Sequence, residues 1–189
     1  MTTGETLAVT GATGQLGRLV ITALLRRAPA AQIVGIVRNA EAGRDLVEQG
    51  VELRVADYGN PVALASALVG VDKLLLISSS EIGQRVAQHR NVVDAAVATG
   101  VKLLAYTSLL HADTSPMDLA PEHRQTESII RAAGVPYVLL RNGWYSENYT
   151  AGIGAALEHG VVLGAADQRV LNREIDTLRD VLRWALAGN

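Results

Sequence analysis

The sequence predicts an α/β fold: a Rossmann-type doubly wound parallel sheet in a single domain. Three observations lead there. Short β-branched runs alternate with longer helical patterns, the rhythm of βαβ units. Most of the strand-like runs are continuously apolar, as strands covered on both faces must be. The first strand runs into a glycine-rich turn that opens a helix, "TGATGQLG", which is the context a dinucleotide-binding turn requires.

Taken in order, the strands read as Leu7 to Thr10, Gln32 to Val37, Val51 to Val55, Lys73 to Ser78, Lys102 to Ser108 and Pro136 to Arg141. Helical patterns lie between them at Gln15 to Arg27, Glu41 to Gln49, Pro61 to Val69, Gly83 to Thr99 and Glu122 to Ala133. Gly50, Gly100 and Gly134 each follow a helix where a left-handed residue ends it. Beyond these elements, Leu171, Ile175, Leu178, Leu182 and Ala185 share one face of a final amphipathic helix. The domain reading is a nucleotide-binding unit over 1–164 and a helical tail over 165–189.

Composition narrows the function. The 189 residues carry a net charge of −2, so neither nucleic acid nor an anionic membrane is the expected partner. No apolar run reaches the ~20 residues of a membrane span, and the N-terminus shows no signal-peptide pattern. The absence of cysteine excludes disulfides and Cys-based metal sites, and fits a cytoplasmic protein. The four histidines show no metal-ligand spacing.

The glycine turn assigns roles by position. Gly11 allows the tight turn, Gly14 lets backbone approach a pyrophosphate, and Gly17 lets the helix pack on the sheet. Ala12, Thr13, Gln15 and Leu16 complete a loop whose free N–H groups, with the helix dipole, favour phosphate. An NAD site would place an acid at the end of the second strand, whereas this chain has Arg38, a planar cation suited to the 2′-phosphate of NADP(H). The alternative for Arg38 is a solvated strand-end arginine. Asp57 and Tyr58 end the third strand as candidate neighbours of the adenine, with a turn aspartate as the alternative. Ser78, Ser79 and Ser80 end the fourth at the edge where open α/β sheets bind ligands, or cap the following helix.

The segments "TGATGQLG", "IVRN", "ADYGN", "LLLISSSEIGQR", "AYTSLLHADTSP" and "LLRNGWYSENY" resemble the bacterial NADPH-dependent quinone reductases of the NmrA-like, atypical short-chain dehydrogenase/reductase group. The likeness runs from about Leu7 to about Gly164. It implies NADPH as cofactor, a quinone as small-molecule substrate, and direct hydride transfer. It places cofactor contacts on the Gly11 to Leu16 loop, Arg38, Ser78 to Ser80, and Asn142, Gly143, Trp144, Tyr145, Ser146 and Glu147. Tyr106 and Ser108 fall at a strand end near the nicotinamide. The similarity fades after Gly164, so the expectation is a chain whose family-type C-terminal subdomain is largely missing, through truncation, frame-shift or paralogy. A homo-oligomer is compatible with the sequence.

Tyrosine-dependent relatives protonate a carbonyl with Tyr, assisted by Lys four residues on. Aligned with them, this chain has Leu119 and His123 at those positions, so no such acid pair exists. A quinone needs less, because its reduced ring gains aromaticity. Placement becomes the protein's main task, and Asn142, Tyr145 and His111 are the candidates for it. For His111 the alternative is a histidine bonded to its own turn; for Trp144 and Tyr145 it is core packing. His123, His89 and His159 read as surface helix residues. The rival function is a non-catalytic NADP(H) sensor of the NmrA-like type, and a third is an inactive fragment.

Overall fold

The computed structural model describes residues 4–143, 145 and 158. The chain divides into two compact units, Met1–Thr114 with Asp118–Gly143, and Ser115–Met117 with Trp144–Asn189. The first carries six strands: β1 (Leu7–Thr10), β2 (Ile33–Val37), β3 (Glu52–Val55), β4 (Lys73–Leu76), β5 (Leu103–Leu109) and β6 (Tyr137–Asn142). Its helices are α1 (Gln15–Leu25), α2 (Arg44–Glu48), α3 (Pro61–Ala67), α4 (Arg85–Thr99) and α5 (Ala120–Ala132). Single 3₁₀ turns precede β2 at Ala30–Gln32 and α2 at Ala40–Gly43. The segment read as one helix from Glu41 therefore begins as a 3₁₀ turn, with Asn39 Oδ1 accepting from Glu41 N at 2.9 Å. In the second unit, Met117 N donates to Ser115 Oγ, and Tyr145 and Glu158 are exposed.

All strands are parallel, in the order β3-β2-β1-β4-β5-β6. Side chains alternate between the two faces. Val9, Ile33 and Val37 pack with Ile21 of α1 and Leu46 of α2. Ala8, Ile36, Leu74, Leu76, Leu104 and Tyr106 pack on the other face with Leu64 of α3, Val92, Val93 and Ala96 of α4, and Ile130 of α5. This is the doubly wound arrangement that the alternation predicts. β2 is buried at every position, but β3 and β6 are largely exposed. Among the described residues each has a strand neighbour on one side only. β3 alternates charged with apolar residues, and in β6 continuous apolarity did not mean cover on both faces.

The predicted helix ends at Gly50, Gly100 and Gly134 are present, with φ of 83°, 75° and 73°. Among the described residues, no helix is long and apolar enough to cross a membrane.

Candidate functional site

Register decides which loops meet. Thr10 lies level with Ile36, and Val9 with Leu75, so β1, β2 and β4 end along one edge. Leu109 pairs with Asn142, which brings the ends of β5 and β6 to the same edge. The strand order reverses between β1 and β4, the point where open α/β sheets bind ligands. The Gly11 turn and Ser78–Ser80 flank that crevice.

The glycine turn is sterically committed. Gly11 has φ +59°. A Cβ on Gly17 would stand 2.3 Å from Gly11 O and 2.8 Å from Ala12 Cα, both backbone atoms. A Cβ on Gly14 would lie 3.2 Å from Gly11 O. Gly14 is also the N-cap of α1 and offers no side-chain cap, which leaves the first N–H groups of the helix for a ligand. These observations fit a dinucleotide pyrophosphate. Arg18 secures the loop from below: its Nε donates to Thr13 O at 3.2 Å, Nη2 to Ala42 O at 2.7 Å, and Nη1 pairs with Asp45.

A seam joins β1 to β4 beneath the turn. Thr10 Oγ1 accepts from Ile77 N at 2.9 Å and donates to Leu75 O at 3.2 Å. The Tyr58 hydroxyl lies 2.5 Å from Thr10 Oγ1 and 2.8 Å from Ile77 O. Burial raises the Tyr58 pKa, partly offset by the Thr10 hydrogen bond and the charge of Arg38. Tyr58 is thus part of the floor, while Asp57 is exposed and its Oδ1 accepts from Gly59 N at 2.7 Å, a turn-forming contact.

The segment after β4 is fastened on every side. Ser78 N donates to Thr107 Oγ1 at 2.9 Å, Ser79 N to His89 Nε2 at 2.9 Å, and Arg85 Nε to Ser79 O at 2.7 Å. Arg85 also pairs with Glu122 of α5 at 2.6 Å, and Glu122 accepts from Gly83 N at 2.7 Å. None of the three serines caps α4, whose N-cap is Gln84 without a side-chain cap bond.

Two histidines read as surface residues are in fact interior. His89 has no exposed surface and His123 only 5%. Helical spacing hid them, because polar residues on the inner face of α4 and α5 look like a solvated stripe. His89 Nε2 accepts from Ser79, so its Nδ1 carries the proton and faces Thr126 Oγ1 at 3.0 Å. His123 Nδ1 is 2.6 Å from the Tyr106 hydroxyl. Burial, then the positive charge of Arg85, depresses both, His89 to about 3 and His123 to about 4.

Tyr106 is wholly buried, its ring edge-on to His89, which leaves no side-chain surface for a cofactor. Ser108 is buried too, and its Oγ donates to Glu127 Oε1 at 2.6 Å. Glu127 in turn accepts from Arg141 (2.9 and 2.7 Å) and Arg131 (2.8 Å). Burial pushes its carboxyl up, but the hydrogen bonds from Arg141, Ser108 and Arg131 outweigh that and bring it to about 2. No sequence motif marks Glu127, and only its i−4 spacing to Arg131 hinted at a pair.

Arg38 is exposed at the end of β2 and pairs with Glu81 at 3.2 Å. His111 adopts a left-handed φ of 54° in the turn after β5, and Leu110 N donates to Asn142 O at 2.7 Å, so that turn adjoins the end of β6. Gly143 is exposed next to it. Trp144, Ser146, Glu147, His159 and the predicted tail helix lie outside the described residues.

A family model described as NAD(P)H-binding matches residues 11–170. The chain belongs to the NAD(P)H-binding family. This NAD(P)H-binding chain is 63% identical over 160 residues to quinone oxidoreductase 2 of Escherichia coli, covering 85% of itself and 56% of that protein. It is 32% identical over 148 residues to an NmrA-like oxidoreductase of Aspergillus flavus, covering 75% of itself and 48% of that protein. It superimposes on the crystal structure of the E. coli NADPH-dependent quinone oxidoreductase complexed with NADPH at a TM-score of 0.81, over 85% of itself and 56% of that chain. With the NADP(H) complex of Citrobacter triphenylmethane reductase the TM-score is 0.79 at 46% identity, over 83% and 56% of the two chains. The NAD(P)H-binding chain thus spans about half the length of the relatives it matches. The resemblance read in the sequence is borne out at the level of family and fold.

Proposed function

We propose that the chain binds NADPH and belongs to a reductase that passes a hydride directly to a quinone, without a tyrosine–lysine acid pair. The observation that carries this reading is the 63% identity to an E. coli quinone oxidoreductase, joined to a switch-point crevice edged by the glycine turn, Arg38 and Ser78–Ser80.

The pyrophosphate goes to the Gly11–Gly17 turn and the free N–H groups of α1, and a 2′-phosphate to Arg38. NADPH, when bound, supplies the hydride. The chain's part is to hold donor and acceptor face to face, which converts a bimolecular encounter into an oriented one. His111 and Asn142, on adjoining strand ends, are the candidates for placing the nicotinamide and the quinone; Tyr145 is proposed for the same task from its sequence position. General acid catalysis contributes typically ~10²–10⁴-fold where it is needed. A quinone accepting a hydride becomes an aromatic phenolate, which takes its proton from water. Leu119 and the buried His123 at the acid-pair positions fit a reaction of that kind.

The test is NADPH oxidation by a benzoquinone, with calorimetric binding of NADPH and NADH. Turnover is expected, and Arg38→Ala is expected to weaken NADPH at least tenfold more than NADH, as loss of a charge-assisted phosphate contact would do. Asn142→Ala is expected to lower turnover more than NADPH affinity. Binding without turnover for any quinone would instead favour a nucleotide sensor.

A further inference from the structure

The end of β2 carries no acid, yet the fold delivers one to the same place from across the crevice. Glu81 follows Ser80 in the segment between β4 and α4, and its Oε1 is 3.2 Å from Arg38 Nη1. This is not a freely swinging surface carboxylate. Its Oε2 accepts from Gln88 Nε2 at 2.7 Å. Gln88 itself is 7% exposed, and its Oε1 has no partner among the described residues. Glu81 N donates to Ser79 Oγ at 3.1 Å, and Glu81 O accepts from Gln84 N and Arg85 N. Backbone and carboxylate are both held, so the negative charge stays beside Arg38.

We propose that Glu81 is a specificity-determining residue that restrains NADPH affinity relative to NADH by holding the Arg38 guanidinium. The inference rests on the reading of Arg38 as the 2′-phosphate ligand. A phosphate arriving at Arg38 has to displace Glu81 or tolerate a carboxylate beside it. A ribose 2′-hydroxyl meets no such conflict and can donate to the same carboxylate. The chain thereby favours NADPH over NADH by a smaller factor than an unpaired arginine would.

Calorimetric titration of the full chain with NADPH and with NADH tests this on wild type, Glu81→Gln, Glu81→Lys and Arg38→Ala. Glu81→Gln should tighten NADPH about three- to tenfold, the range expected when a partly exposed like charge is removed. NADH should stay within about twofold or weaken. Glu81→Lys should move NADPH further in the same direction. Both gains should shrink in high salt, where the Debye length is about 3 Å at 1 M. Glutamine retains a partner for Gln88, and unliganded melting temperatures verify that each variant is folded. Unchanged or weakened NADPH binding in both folded Glu81 variants overturns the proposal. If Arg38→Ala selectively loses NADPH in that experiment, only the role of Glu81 falls. If Arg38→Ala affects both cofactors equally, the NADPH reading falls, and this proposal with it.

Discussion

Gly17 shows how little freedom the phosphate turn has. Helix propensity alone would favour alanine there by about 1 kcal/mol. The structure reverses the sign, since the added methyl would stand 2.3 Å from Gly11 O with only backbone around it. Gly17→Ala is expected to cost at least about 1–3 kcal/mol, the usual range for overpacking, and to weaken NADPH because the loop itself must move. Chemical unfolding and a cofactor titration check the two halves of that expectation. Residues of this kind were legible in the sequence, because a glycine at a strand–helix junction has few other uses. The place of Arg38 at the end of β2 was legible too, from the strand pattern that precedes it. Glu81 was not, since nothing in its neighbourhood on the chain reveals that it faces β2. His89 and His123 were misread because burial of a polar side chain depends on partners 10 to 37 residues away, Ser79, Tyr106 and Thr126 among them.

At the scale of an element, α4 and α5 share a design. The inner face of α4 starts polar, with Arg85, Gln88 and His89, and continues apolar through Val92, Val93, Ala95 and Ala96. α5 likewise buries His123, Thr126 and Glu127 before Ile130. On α4, Arg85 and His89 hold the backbone of Ser79, polar groups that a hydrocarbon could not satisfy. On α5, His123, Thr126 and Glu127 meet buried side chains, among them Tyr106, His89 and Ser108. Glu127 is the extreme case, with no exposed surface and three cationic or hydroxyl partners. Glu127→Ala is expected to cost ~3–5 kcal/mol, as removal of one partner of a buried pair does. Glu127→Gln should cost less, because the amide keeps an acceptor for Arg141 and Ser108. Urea unfolding of the two variants checks the order. Strand and helix existence was readable from apolar runs and terminal glycines, but this inward polar face was not. Amphipathic reasoning assigns polar residues to water unless a specific partner is known.

For the whole molecule, the buried groups set a pH response. His89 and His123 stay neutral in the native state down to about 3 and about 4, against an ordinary value of 6.5. Glu127 stays ionised down to about 2, against 4.5. Below about pH 6.5 the unfolded chain binds protons on both histidines that the native chain refuses, so unfolding takes up protons and stability falls with pH. The histidine contribution is present above 6.5 and is lost progressively down to about 3–4; the Glu127 contribution is lost between 4.5 and about 2. Urea melts should therefore show stability dropping by a few kcal/mol from about pH 7 to about pH 4, with a slope approaching two protons. A flat profile over that interval would contradict neutral, buried histidines. The doubly wound class could be read from the alternation of elements. The strand order and the reversal beside β1 came only with the structure, since several crossover paths share one sequence rhythm.

The seam at Thr10 carries one more implication. Backbone pairing of β1 with β4 ends at Val9 and Leu75, and a single hydroxyl takes over from there, bonded to Ile77 N and Leu75 O and braced by Tyr58. The fork between the two halves of the sheet is therefore fixed from below, by the hydroxyls of Thr10 and Tyr58 and the backbone of Leu75 and Ile77, at the roots of the flanking loops. The serine side chains of Ser78–Ser80 can change without altering how far the strands diverge, whereas the glycine turn is held by its own backbone packing. That separation makes the crevice a modular socket: its width is inherited from the floor, while its preference for one nucleotide or acceptor is free to drift with the rim.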